Sequence, residues 1–146
     1  MPRVYLHPFP FQIVNVPGRG VLIVYEYDHL VRQVYTDGRP HDTSSAPTWM
    51  GDSIGRWEGE TLVIDTVGFT PHRLGVLLFP SGPNKHLVER LTLSEDRLRL
   101  EYTLMVEDPD VLAAPFSFTA TWNHRPDLEL SGVPCDPEVA RRALQQ

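Results

Sequence analysis

Every long apolar run before the C-terminal residues alternates with a period of two, and no run of helical periodicity separates one from the next. In residues 20–27, Val21, Ile23, Tyr25 and Tyr27 face one way, while Leu22, Val24 and Glu26 face the other. The β-branched and aromatic content makes this a strand. The same alternation runs through 30–36, 61–67, 86–93, 97–106 and 116–124. Leu98, Leu100, Tyr102, Leu104 and Val106 form one apolar face; Phe116, Phe118, Ala120 and Trp122 form another. Fourteen prolines and ten glycines break the runs, with turn signals at Pro17-Gly18-Arg19-Gly20, Asp37-Gly38, Glu58-Gly59-Glu60 and Ser94-Glu95-Asp96.

With no helices between strands, parallel βαβ units are excluded. The pattern predicts an all-β, antiparallel meander of about eight strands in a single domain spanning 1–146. Closure into a small lipocalin-like barrel would remove exposed edges, with a two-sheet sandwich as the alternative. A short helix is expected over 136–144, where Asp136 can N-cap, Pro137 takes the first helical position and Glu138 suits the positive end. Residues 128–130 are expected to add a short strand. Residues 40–47 and 68–85 read as loops, the second long enough to be a functional lid.

Lysine and arginine number 13 against 19 acids, a net charge of −6, and no basic cluster interrupts the chain. Nucleic acid and anionic membrane surfaces are therefore poor partners. Cys135 is the only cysteine, which excludes an internal disulfide and a cysteine-based zinc site. Residues 1–10 lack the continuous apolar core of a signal peptide, so a cytoplasmic location is expected.

The candidate site residues fall into four groups. Tyr25, Tyr27 and His29 share a parity, and if the strand continues through His29 they line one face with an imidazole and two phenols. The alternative makes the tyrosines core residues and Asp28-His29 a strand-end turn. Trp49 and Trp57, spaced by glycines, offer flat apolar surface; Trp57 could equally plug the end of a barrel. Asp65, inside the apolar run 61–67, would need a partner or a raised pKa if buried, which would equip it for general acid–base work. Glu89 sits among Leu87 and Leu91 and would be either a catalytic carboxylate or the partner of Arg32 or Arg90. No nucleophile elbow, phosphate loop or metal-ligand spacing occurs; convergence of His29 and His41 with a carboxylate is left open.

The segment Tyr25-Glu26-Tyr27-Asp28-His29, Arg32, 35–41, 47–51 and 53–59, continuing through 61–69, resembles a large family of bacterial proteins with a Trp-Glu-Gly-Asp-Thr-Leu core. The likeness covers the first half of the chain, and more loosely 86–90 and the segment near Cys135. It implies no activity, since none defines the family. Asp52 stands where the family carries His, and the histidines preceding His86 in the family are missing here. Many members carry a secretion signal.

The expected function is cofactor-free acid–base catalysis of isomerase, cyclase, lyase or hydratase type, on a small hydrophobic or aromatic molecule in a barrel cavity. His29 or Asp65 would be the base and Glu89 or Tyr27 the acid. Tyr25, Arg32, Trp49, Trp57, Tyr102 and Trp122 would form the ligand-binding walls, with no metal. The alternatives are a non-catalytic binder of a hydrophobic ligand and a dimerising accessory subunit, a homodimer being one possible assembly.

Overall fold

A computed structural model describes residues 9–73 and 80–130. Eight strands follow one another: β1 (Phe11–Val16), β2 (Gly20–Tyr25), β3 (Val31–Tyr35), β4 (Asp52–Glu58), β5 (Thr61–Val67), β6 (His86–Leu93), β7 (Arg99–Glu107) and β8 (Phe116–Asn123). They form one sheet in sequence order, a meander curled into a half-barrel. The all-β expectation and the strand number hold. Among the described residues no pairing joins β8 to β1, so the barrel stays open along that seam. The expected helix over 136–144 and Cys135 lie outside the described residues.

The sheet is not wholly antiparallel. Strand β3 runs parallel to β4, through Val34–Ser53 and Tyr35–Ile54. The 16 residues of chain between them, 36–51, are long enough to cross over, as a tight turn could not. Residues 128–130 form no strand. Strand β2 ends at Tyr25, not His29. Tyr27–His29 is a single 3-10 turn, with Asp28 and His29 at φ +58° and +48°. Those left-handed residues turn the chain back into β3, and the shared parity of Tyr25, Tyr27 and His29 is lost.

Alternation then does its work. Val21, Ile23, Val34, Leu62, Ile64, Leu87, Leu91, Leu104 and Val106 point to the concave face and form the core with Tyr25, Phe69 and Tyr102. Phe116, Phe118, Ala120 and Trp122 close over them from β8. Gly20 shows how tightly β2 and β3 approach: its φ is +112°, and a Cβ there would lie 2.1 Å from the Val34 carbonyl oxygen. Only glycine fits both constraints. No helix among the described residues is long and apolar enough to cross a membrane.

Candidate functional site

Two ionisable clusters and one cleft carry the chemistry. The clusters lie on opposite faces of the same strands. Ile64 pairs with Glu89, and Asp65 with Val88, so a one-residue offset between β5 and β6 sends Glu89 inward and Asp65 outward.

On the concave face Arg32 and Glu89 are each only 2% exposed. The guanidinium grips the carboxylate with both terminal nitrogens: Nη1 donates to Oε1 at 3.1 Å and Nη2 to Oε2 at 2.5 Å. Arg32 Nε donates to Ser53 Oγ at 3.0 Å, Nη2 also to Thr66 Oγ1 at 2.7 Å, and the Tyr102 hydroxyl to Glu89 Oε1 at 2.9 Å. The buried charges are thus paired and bonded, the condition under which burial is tolerated. Burial pushes the Tyr25 phenol up to about 12, against the pull of the Arg32 charge. It drives Tyr102 further up, with the Glu89 charge adding to it. Neither phenol ionises at neutral pH. The cavity beside them, lined by Phe11, Ile23, Tyr25, Glu89, Leu91, Tyr102 and Trp122, measures about 20 Å3. That is room for about one water, not for a substrate.

On the convex face five groups form an unbroken chain. Asp52 Oδ2 lies 2.8 Å from His41 Nδ1, and Asp65 Oδ1 lies 3.0 Å from His41 Nε2. The same Asp65 oxygen lies 2.9 Å from His86 Nε2, and Glu107 Oε2 lies 3.0 Å from His86 Nδ1. A neutral imidazole has one N–H, so His86 bonds both of its carboxylates only as imidazolium. For His86, burial disfavours that charge, but the bonds and charges of Glu107 and Asp65 outweigh it and the pKa rises. The groups are partly open to solvent, with side-chain exposures of 18% for His41, 29% for Asp65 and 30% for His86. Among the described residues no group of three or more such side chains is arranged to hold a metal ion.

The cleft lies along the open seam. About 1090 Å3 in volume, it is bordered by Phe9, Phe11 and Ile13 on one side, and by Leu100, Trp122 and Leu128 on the other. Trp57, Leu62, Leu91 and Leu93 also line it. Aromatic rings bridge its inner end: Phe11 meets Trp122 edge-on at 5.2 Å, and Trp122 lies 4.7 Å from Tyr102.

The structure therefore gathers Tyr25, Arg32, Glu89 and Tyr102 in the core, with Trp122 beside them, and turns Trp57 and Trp122 to the cleft. Tyr27 is 42% exposed, its ring 5.4 Å from that of Phe9, and His29 is exposed on the same turn. Trp49 is 62% exposed, edge-on to His72. Asp65 meets neither Glu89 nor His29 but His41 and His86. The sequence reading missed Asp52 and Glu107 as partners. A signal for one existed: the hairpin turn after Leu93 pairs Leu93 with Leu100, and counting outward pairs His86 with Glu107. A buried pair, Lys85 Nζ donating to Ser81 Oγ, was also missed. Burial lowers the Lys85 pKa, but the same burial shuts the pair away from any substrate.

No protein-family model matches the chain, and no match is found among curated proteins or among solved structures.

Proposed function

We propose that the protein binds a small, largely apolar or aromatic molecule in the cleft between β1 and β8. The observation that carries this reading is where the exposed apolar surface lies. Phe9, Ile13, Trp57, Leu93 and Leu128 are all between 39% and 57% exposed, and all five line this one cleft. Scattered exposed hydrophobics need no explanation, but a concave concentration of them marks a binding surface. The ligand thus lies not in the interior of the half-barrel, where the space admits about one water, but at the seam.

The test uses the tryptophans already in place. Titration with the neutral probe N-phenyl-1-naphthylamine should quench Trp57 and Trp122 and saturate at one probe per chain. Leu93→Asp should weaken that binding by about tenfold or more without lowering the melting temperature, because Leu93 is a half-exposed strand-end residue. Absence of saturable binding by any neutral apolar probe sinks the reading.

Acid–base catalysis is the second reading, favoured by the convex chain. An imidazole whose one nitrogen is held by a carboxylate is the arrangement that orients a general base. On this reading His41 and His86 are the proton carriers and Asp65 the group they share, and Glu89, closed in by its donors, serves structure. A screen of isomerase, lyase and hydratase substrates in which His86→Gln and His41→Gln keep full turnover would remove it. Membership of the bacterial family with the Trp-Glu-Gly core is part of the same proposal and rests on that motif.

A further inference from the structure

We infer that the ligand of this cleft is an amphipathic monoanion, an alkyl or aryl carboxylate, whose acid group is held at the β6–β7 turn by Arg97 with help from Arg99. The inference deepens the binding reading and depends on it. Its first support is charge. In a chain of net charge −6, the cleft is lined by Arg97, Arg99 and Arg125 against Glu60 and Glu129, with His124 beside them. Lining cations outnumber lining acids by three to two, and since Asp127 and Asp96 face Arg125 and Arg99, Arg97 is the cation left to draw an anion.

The second support is which of these cations is uncommitted. Arg125 is forked onto Asp127, with Nε at 2.9 Å and Nη2 at 2.7 Å. Arg99 comes no closer to Asp96 than 3.7 Å, too long for a hydrogen bond. The Arg97 side chain makes no hydrogen bond or ion pair among the described residues. A guanidinium with its donors free matches a carboxylate in bidentate fashion.

The third support is the backbone. Arg97 closes the hairpin, its N–H donating to the Ser94 carbonyl at 2.8 Å, with φ at +58°. Glycine or asparagine suits that left-handed position, and an arginine there is a strain that turn formation does not need. Leu93 and Leu100, which pair at the same end of the hairpin, supply the first apolar contacts for a tail.

The experiment compares decanoate, 1-decanol and decyltrimethylammonium by quenching of tryptophan fluorescence. Decanoate should bind about tenfold tighter than decanol at low salt, the gap narrowing at molar salt where charge is screened. Arg97→Gly should erase most of that preference while leaving decanol affinity in place. The same change should keep or raise the melting temperature, since glycine relieves the positive φ, so lost preference cannot be lost folding. Arg125→Gln should leave the preference intact. Equal affinity for acid and alcohol, or a preference unchanged in Arg97→Gly, overturns the anion assignment while the cleft still binds. If none of the three probes saturates, the binding reading itself has failed.

Discussion

The two ionisable clusters stand back to back on one sheet, yet they obey different physics. Inside, Arg32 and Glu89 are stripped of water and satisfied by Ser53, Thr66 and Tyr102. Outside, His41 and His86 link three carboxylates within reach of solvent. The inner set is desolvated, and its cost is fixed when the chain folds. In the outer set Glu107 and Asp65 favour the charged form of His86, so that end of the chain answers to pH. A carboxylate's role on this sheet is thus decided by parity: Glu89 became architecture and Asp65 the partly exposed partner of two histidines, though both interrupt apolar runs.

The sharpest way to break the comparison is to remove half of the inner pair. Arg32→Met strands Glu89 as an uncompensated buried charge and should cost about 3–5 kcal/mol in urea unfolding. Adding Glu89→Leu should recover most of that loss, because the penalty lies in the orphaned charge and not in the missing attraction. A double variant as unstable as the single one would show that the ion pair is needed for packing as well. Next in size, Tyr102→Phe deletes one donor to Glu89 and should cost roughly 1.5–3 kcal/mol, the range for hydrogen bonds to charged groups.

The outer chain should answer to pH instead. The folded pKa of His86 lies above its unfolded value, so its contribution is full below about pH 6.5 and is lost as pH rises through the elevated native value. The melting temperature should therefore fall by a few degrees between about pH 6 and about pH 8, where Arg32 does not titrate. In His86→Gln that slope should flatten. The smallest effect is expected from Asp65→Asn, which removes the charge shared by both rings. NMR titration should then show the His86 pKa moving down, with little change in global stability. A His86 titration indifferent to Asp65 would dissolve the distinction between the faces.

Much of this fold was legible before any coordinate. Period-two alternation in 20–27, 61–67, 86–93 and 97–106 named the strands, and turn residues named the β1–β2, β4–β5 and β6–β7 hairpins. The apolar surroundings of Glu89 singled it out, and Arg32 was already among its two candidate partners. Less was legible at the ends and crossings of strands. Of the two readings left open at His29, the strand-end turn holds and the continued strand does not, because Asp28 and His29 take positive φ. The parallel β3–β4 pair was invisible because alternation says which residues share a face, never which direction the neighbour runs. His41 and Asp65 are 24 residues apart and meet through a loop without periodicity. The cleft was missed because Phe11, the hairpin residues Leu93, Arg97 and Leu100, and Trp122 come from three separate parts of the chain.

By itself the sequence determined the class of structure and the two faces of each strand, since a strand's side chains alternate whatever it pairs with. It also determined that charged residues would be forced into apolar company. The tertiary structure alone decided which of those charges met. Register and curl are properties of paired strands, and a one-residue step between β5 and β6 put Glu89 in the core and Asp65 in water. The open seam is of the same kind. Alternation asks for a face to be covered, but only the curvature of eight strands together leaves β1 and β8 apart, with a cleft between them.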